Sequence, residues 1–582
     1  MFSATYTKSK EINETGGEKQ QTNGISRNMR GDTVLLYCCA LFASKIMKNA
    51  ERKEEMLKRI LSVVLLVMVL LPGVIACSKK DAGGSNESAN TNDVVDTTNG
   101  SSSQSKNQYD VQDAIGTRDY GGKEVTLANV NHANFINEAE VSDITGEIVS
   151  DAIYKRNRTV EKRLNVKIKN YIPDAEGDLH ASVTTLRKDI EATTRSFDIM
   201  FNPMYTTTNA LTAGLYYDLY EFEDIDFDQP YWGKFANEAM EIGGKMHLAT
   251  GPIALNFYRY AFVTLVNETL LKTGTDAPDI LQVVKDGKWT LEYQTALAEK
   301  YYLDRGNLGA DKEDILGFYG TQVSICLDPY LASCGIKIVE KDADGYLKAS
   351  PDVARMTDAM DDVIALHTSK ASLMYENSGS SENIMKDMAA TFASGNTLMV
   401  TFRLYELSYI TNMKDKYVIL PVAKLNEDQA TYNTTLHDST TCISVPVTVA
   451  EDDKEMIGAV IEVLACESYR QVTPAYYETV LRARYTSSTA NWEILDDLMT
   501  NIVLDPAISM CNLLKIAIFN GNYTPVGNWR YCLNDAFVKS ATTASSRFNE
   551  EYIQKLQAIM DQDDPETGKK GVNTFYKDLN AN

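Results

Sequence analysis

The sequence predicts an α/β fold of two lobes, followed by a helical carboxyl-terminal portion. From Gly122 onward, short apolar strands alternate with amphipathic helices, the pattern of a parallel sheet covered by helices. The chain has 582 residues, too many for one compact core and enough for two to four domains. In the last third, the apolar spacing indicates nearly continuous helix.

The elements of the first lobe are predicted between residues 123 and 202. The spacing predicts strands at Lys123–Val130, Val166–Ile172 and Phe197–Asn202. Helices are predicted at Gly146–Leu164 and His180–Thr193. In the first helix, apolar residues recur at spacings of three and four, and the charged residues, among them Lys155, Arg156 and Arg158, are expected on the solvated face.

Later elements are less regular. Asp286-Gly287 indicates a turn, and Thr290 is suited to cap the helix that follows. A helix is expected at Met385–Ser394, and strands are expected at Thr397–Phe402, Tyr417–Leu420 and Cys442–Val447. The helices predicted for the last third are Lys454–Tyr469, Thr473–Arg484, Asn491–Thr500, Asp505–Phe519 and Ala536–Met560.

The charge of the chain limits its partners. There are 57 Lys and Arg against 80 Asp and Glu, which gives a net charge of -23. That sign is unsuited to a phosphate backbone, so nucleic acid is excluded as an expected partner. Charge of this size also opposes self-association, and we expect a monomer.

An export signal is predicted well inside the sequence. A basic start at Met56 precedes the apolar run Ile60–Leu71, which is too short to span a bilayer. Val74-Ile75-Ala76-Cys77 resembles a bacterial lipobox, which implies a lipid on Cys77 and a place on the extracytoplasmic face of the cell membrane, held by that anchor alone. An ordinary signal peptide with a chance cysteine is the alternative. We therefore assign 1–55 as a non-native upstream extension, 56–76 as signal peptide and 77–118 as a disordered tether rich in Ser, Asn, Asp and Thr.

Catalytic and metal-binding motifs are missing from the sequence. It contains no phosphate-binding loop, no Gly-x-Gly-x-x-Gly, no His-Glu-x-x-His and no Cys-x-x-Cys. We therefore expect no cofactor, no metal and no enzymatic activity, although a pair of glycosidase carboxylates is defined only by its separation in space. The cysteines after Cys77 are expected to be buried free thiols, or to form one bridge between Cys326 and Cys334.

A series of short blocks covers almost the whole exported chain: YGGKEVTLANV (120–130), DAIYKRNRTVEKRLNVKI (151–168), SFDIMFNP (196–203), LTAGLYYDLYEF (211–222), IGGKMHLATGPI (242–253), DGKWTLEY (286–293), FASGNTLMVTFR (392–403) and TPAYYETVLRARYTSS (473–488). In order and spacing these blocks resemble extracellular solute-binding proteins of family 1, the substrate-binding subunits of bacterial ABC importers, of which the maltose-binding protein is a distant relative. The resemblance implies a type II periplasmic-binding-protein-like fold, with crossing hinge strands and a cleft that captures a small solute.

By the layout of that family, lobe 1 would span 119–258 with a return at about 436–475. Lobe 2 would span 259–435 with part of 476–582. The implied partners are a neutral, hydroxyl-rich solute, mono- or oligosaccharide, and the permease subunits of the importer. Alternatives are a surface glycoside-active enzyme, a receptor that reports its ligand state to a sensor partner, and a binder of peptide or polyamine.

Candidate ligand contacts are expected at strand ends, because open α/β sheets bind ligands beyond their carboxyl ends. Asn202 and Tyr205 follow the strand FDIMF, where the resemblance implies a cleft-lining loop. Arg403 and Tyr405 stand where the maltose-binding relative has Gly-Pro-Trp, a departure that leaves the sugar class open. Arg403 could donate two parallel hydrogen bonds to a carboxylate or a pair of hydroxyls of the ligand, or it could form an ion pair between the lobes. The remaining candidates are the loop aromatic Trp232, which could instead staple a helix start, and His437 with Asp438.

Overall fold

The computed structural model describes residues 108–135, 137–306, 309–321, 328–375, 381–485, 489–510 and 535–560. The predicted extension 1–55, the signal peptide 56–76, Cys77 and most of the tether lie outside these residues. All described residues belong to the unit Ser103–Asn582. Among them, no helix combines the length and the apolar character needed to cross a lipid bilayer.

The strands form two larger sheets and one hairpin-like pair. They are β1 Lys123–Ala128, β2 Val166–Tyr171, β3 Ile199–Pro203, β4 Phe262–Asn267, β5 Leu316–Thr321, β6 Val339–Lys341, β7 Leu347–Ala349, β8 Ser372–Tyr375, β9 Thr397–Arg403, β10 Tyr417–Leu420 and β11 Thr441–Ser444. Every strand predicted from the sequence corresponds to one of these. Strands β4 to β8 were not predicted individually; of these, β4 and β5 are buried along their whole length, so they show no alternation of apolar and polar residues.

Both larger sheets have the same internal order. Sheet 1 runs β2-β1-β3-β11 and sheet 2 runs β8-β5-β9-β4-β10. Each sheet contains three parallel strands, β1, β2 and β3 in sheet 1 and β5, β8 and β9 in sheet 2, and the earliest of the three in the chain lies in the middle. An antiparallel strand lies beside the last of the three: β11 beside β3 and β4 beside β9. Each antiparallel strand comes from a chain segment that has left the other sheet. This order is that of two α/β lobes joined by crossing strands, and it confirms the predicted fold class.

Helices cover the sheets. Those of the described residues are α1 Ile148–Leu164, α2 Ala181–Ala192, α3 Met204–Thr208, α4 Lys234–Met240, α5 Asn256–Arg259, α6 Glu268–Leu271, α7 Ile280–Lys285, α8 Leu291–Tyr301, α9 Asp328–Ser333, α10 Val353–Thr368, α11 Ser381–Ala393, α12 Lys454–Glu467, α13 Thr489–Thr500, α14 Pro506–Ser509 and α15 Asp535–Met560. Short 3-10 turns lie at Leu211–Ala213, Leu219–Glu221, Leu404–Tyr409 and Glu451–Asp453, and wider π-helical turns at Ser468–Val472 and Ala475–Tyr485. The predicted helix Asp505–Phe519 is described only for α14.

Helix α1 follows local rules at both ends. The Glu147 carboxylate accepts a hydrogen bond from the Ser150 N–H at 2.7 Å, and Asn165 ends the helix in the left-handed conformation at φ 46°. The solvated-face prediction is wrong for Arg156, whose side chain is buried and donates to the Ala139 carbonyl and, at 3.1 Å, to Ser468 Oγ. Its long side chain reaches the turn after α12, a contact that helical spacing alone does not reveal.

The tether prediction is wrong for residues 108–118. Tyr109 and Ile115 are buried, and Tyr109 donates a hydrogen bond to Glu478 at 2.8 Å. Asp113 receives both terminal nitrogens of Arg163, at 2.7 and 2.8 Å. The few apolar residues in this polar stretch are the ones that anchor it, so its average composition was misleading.

The chain crosses between the sheets at three adjacent segments. The segment before β4 and the segment before β11 run side by side, with Ala261 opposite Leu436 and Thr434 donating to the Phe262 carbonyl at 2.8 Å. A third segment joins them where Val503 N–H donates to the Thr434 carbonyl at 2.7 Å. The largest apolar cluster continues from sheet 1 through these crossings into sheet 2, and a second cluster stays within lobe 1.

The cysteines described in these lobes are buried free thiols at Cys334, Cys442 and Cys466. Since Cys334 is free, the alternative bridge from Cys326 to Cys334 is not formed. Cys326 itself lies outside the described residues.

Candidate functional site

The candidate site lies where the carboxyl ends of strands from both sheets meet. The loop after β1 brings Asn134 to this place, and the turn after β9 brings Tyr405. The Tyr405 hydroxyl donates a hydrogen bond to Asn134 Oδ1 at 2.5 Å, which links the two lobes directly. Crevices beyond the carboxyl ends of strands are the usual ligand sites of open α/β sheets.

An aromatic cluster stands at the crossing, and we call it the Tyr260 cluster: Phe135, Tyr260, Tyr405 and His437. Tyr260 is 1% exposed, and the ring centroids of the other three lie 6.0, 5.8 and 5.9 Å from its own, each close to perpendicular. Edge-to-face geometry of this kind stabilises ring pairs beyond simple burial. The cluster holds segments of both lobes around the hinge.

Arg403 is buried against this cluster, and its charge is already paired. Its guanidinium lies 4.5 Å above the Tyr260 ring and binds Glu406, with Nη2 2.5 Å from Oε1. Burial by itself lowers the pKa of Arg403, but the charge of Glu406 raises it above its ordinary value. The predicted ion pair between the lobes is therefore wrong, because Arg403 pairs with Glu406 within one turn of its own lobe.

We call the boundary where the carboxyl strand ends of the two lobes meet the seam. His437 and Asp438 lie on its lobe 1 side. His437 Nδ1 accepts the Ser439 N–H at 3.1 Å and lies 3.1 Å from Asp438 Oδ1. Burial, and then the nearby charge of Arg403, hold the pKa of His437 well below its usual range, so its imidazole is neutral. A neutral imidazole offers one donor and one acceptor, of which Ser439 uses the acceptor.

Tyr205 follows β3, whereas Asn202 lies within it. Tyr205 is partly exposed; its ring lies 5.5 Å from that of His180, and its N–H donates to the Asp438 carbonyl at 2.9 Å. Asn202 is fully buried and donates to Thr206 Oγ1 at 3.0 Å. The structure thus places Tyr205 on the seam and Asn202 beneath it.

Asp328, at the start of α9 in lobe 2, faces Asp438 of lobe 1. Burial, and then the charge of Asp438, raise the pKa of Asp328 well above its usual range. Among the described residues the Asp328 carboxylate has no hydrogen-bond donor. A carboxyl group with a raised pKa is more readily protonated, and in that form it can donate as well as accept a hydrogen bond.

A crevice of about 290 Å³ opens beside the Tyr260 cluster, and we call it the Arg259 crevice. Its walls come from the loop after β1, the start of α1, the turn after β9 and the helical turns at Ala475–Tyr485. Its polar and aromatic side chains include Glu147, Arg259, Tyr405, Ser408, Thr411 and Tyr476. Both lobes therefore contribute to one ligand-sized space.

Trp232 lies elsewhere. It is buried, its ring nitrogen donates to Glu462 Oε2 at 3.3 Å, and it lines a separate crevice of about 360 Å³ with Phe235, Tyr258 and Tyr477. This location supports its structural alternative as an anchor of the loop before α4. The structure does not bring it together with the other predicted contacts.

Four residues at the seam were missed from the sequence. Asn134 follows the predicted strand β1, so a search of every predicted strand end would have included it, whereas Asp328 follows β5, which was not predicted. Arg259 and Tyr260 directly precede the buried strand β4, and that strand was itself not predicted. No charge or aromatic pattern in the sequence distinguishes them from neighbouring residues.

No family model matches the chain, and no curated protein matches it. Solved structures that are similar include the ABC substrate-binding protein Lmo0181 from Listeria monocytogenes in complex with cycloalternan, with 14% identity, a TM-score of 0.45 and coverage of 74% of this chain and 98% of that one. The GacH receptor of Streptomyces glaucescens has 14% identity, a TM-score of 0.44 and coverage of 75% and 99%.

A family 1 extracellular solute-binding protein from Bifidobacterium longum subsp. infantis has 12% identity, a TM-score of 0.44 and coverage of 75% and 100%. Its name is that of the family which the sequence blocks resemble. At TM-scores this low, such likenesses do not by themselves assign a fold or a function. The fold is assigned by the shared strand order of the two sheets.

Proposed function

We propose that the protein is a solute-binding protein of an ABC importer, which captures a carbohydrate between its lobes by hinge closure and releases it intact. The observation that carries the proposal is the seam itself: carboxyl strand ends of both lobes converge on a crevice beside the hinge. Its aromatic rings suit the C–H faces of sugars, and its hydroxyl, amide and carboxylate groups suit their hydroxyls. Closure of two lobes around a ligand is a known kind of domain motion.

The test is a screen of glycans by thermal shift and calorimetry, on a chain that begins at Ser78 and keeps the whole unit Ser103–Asn582. A sugar present at a hundredfold of its Kd is expected to stabilise the protein by about 2.7 kcal/mol. Tyr405→Ala, which removes a wall of the crevice, is expected to lower the affinity for that sugar. Phe235→Ala in the separate crevice is the matched control and is expected to leave the affinity unchanged.

Other outcomes of the screen separate the alternatives. Stabilisation by a peptide or polyamine, and by no sugar, would overturn the ligand class. Shorter products released from oligosaccharides would favour a glycoside-active enzyme. Permease genes beside this one would support import, whereas an adjacent sensor kinase gene would favour a receptor.

We also propose that a lipid on Cys77 holds the protein at the extracytoplasmic face of the cell membrane, as a monomer. The support is the signal-like segment before Cys77 and the polar stretch after it. Cys77→Ser is expected to move the protein from the membrane fraction to the soluble fraction and to abolish palmitate incorporation. Retention of label in that variant would contradict the anchor.

A further inference from the structure

Arg259 brings a positive charge to the wall of the Arg259 crevice. Among the described residues its guanidinium makes no hydrogen bond and no ion pair, and its one defined contact is the ring of Tyr476, 5.8 Å from Cζ to the ring centroid. A guanidinium carries five N–H donors in a planar fork. It lines the Arg259 crevice, so these donors are available to a solute there.

Two carboxylates are candidate partners of Arg259, Glu147 on the wall of the same crevice and Glu138 behind the crossing, and both have donors of their own. Glu147 accepts the Ser150 N–H and caps α1, whose positive end offsets part of its charge. Glu138, buried behind the crossing, accepts the Asn256 N–H at 2.6 Å and the Thr441 hydroxyl at 2.5 Å. Neither lies within ion-pair distance of Arg259.

We propose that the solute is an acidic saccharide, and that Arg259 binds its carboxylate in the Arg259 crevice. This inference rests on the proposed function and narrows its substrate class from carbohydrates in general to those with a uronic acid unit. A planar carboxylate accepts two parallel N–H groups from the fork, which a hydroxyl cannot do. Tyr405, Ser408 and Thr411 then supply hydroxyls for the rest of the sugar, and the Tyr476 ring lies behind the guanidinium.

The experiment compares matched pairs of sugars by calorimetry, with glucuronate against glucose and galacturonate against galactose, both as monosaccharides and within disaccharides. At about 0.15 M salt the screening length is about 8 Å, so the net charge of the protein has little effect. The acidic member of a pair is expected to bind at least tenfold more tightly. In Arg259→Met its affinity is expected to fall about 10- to 150-fold, the range of a hydrogen bond to a charged group.

Control variants separate a binding role from a structural one. Arg259→Met is expected to lower the affinity for a neutral sugar by less than about threefold. Arg259→Lys keeps the charge without the planar guanidinium, and it should retain part of the preference for acidic sugars. Glu147→Gln should raise the affinity for the acidic sugar, because it removes a negative charge from the wall of the crevice. Thermal midpoints without ligand establish that each variant is folded.

The two failures are distinguishable. If neutral sugars bind as tightly as acidic ones, or if Arg259→Met weakens both equally, Arg259 has only a structural role and this inference is overturned while the proposed function stands. If no sugar of either kind binds, the proposed function fails, and the inference fails with it.

Discussion

Arg403→Met is expected to lower the free energy of unfolding by about 3–5 kcal/mol, the cost of leaving one partner of a buried ion pair alone. The Glu406 side chain is 1% exposed and that of Arg403 9%. Methionine fills most of the space over the Tyr260 ring but offers no charge, so the carboxylate of Glu406 stays buried and uncompensated. Urea unfolding of wild type and variant measures the loss.

The double variant Arg403→Met/Glu406→Gln is the matched control. Because it removes both charges, it is expected to recover much of the lost stability. If the double variant is as unstable as the sum of two independent losses, the pair is not coupled. An Arg403→Met protein of wild-type stability with greatly weakened sugar binding would instead restore the sequence-based interpretation of Arg403 as a direct ligand contact.

Between pH 4.5 and 7, Glu462 is expected to lower the free energy of unfolding of the wild-type protein by about 3 kcal/mol as pH rises, and Glu462→Gln is expected to abolish this contribution. Burial raises the pKa of Glu462 from 4.5 to about 7, even though the Tyr231 hydroxyl and the Trp232 ring nitrogen donate to it. As pH rises through this window, the unfolded chain releases the proton while the folded protein still holds it. The free energy of unfolding therefore falls, and a difference of about 2.5 pKa units amounts to about 3 kcal/mol.

The prediction concerns the difference between wild type and variant, because other groups titrate in the same window with the opposite sign. Burial lowers the pKa of His367 to about 4, so this residue makes the protein less stable as pH falls. Urea unfolding at several pH values gives both curves, with the exposed Glu124→Gln as control. Parallel curves for wild type and Glu462→Gln would show that this carboxyl is ionised in the folded protein throughout.

Much of the fold could be predicted from the sequence because its elements are marked locally. Sheet 1 has strands of moderate length between capped amphipathic helices, and spacing alone places them. In lobe 2, β4 and β5 were missed although they are no more buried than β9 and β10, which were predicted; β5 contains Gly317 and Gly320, which weaken the pattern of a strand. Arg156 was misplaced because spacing identifies the face of a helix, but a long side chain can turn inward when carbonyl acceptors are within reach.

The site was predictable only in part. Strand ends led to Tyr205, Arg403 and Tyr405, and these residues do lie along the seam. What the sequence could not indicate was pairing in space. Glu406 pairs with Arg403, whereas Arg259, in a segment with no recognisable motif, forms no ion pair with any residue of the described ranges. Trp232 was predicted as a ligand contact but is buried against Glu462. The sequence around an aromatic residue in a loop does not indicate whether that residue packs against the protein or faces a ligand.

The most direct test of hinge capture is a crystal structure of the protein with the sugar that the screen identifies. We expect an intact sugar between the lobes, in contact with Tyr405 of lobe 2 and with the loop after β1 in lobe 1. A sugar bound only in the crevice beside Trp232, or a cleaved product in place of the intact molecule, would contradict the account.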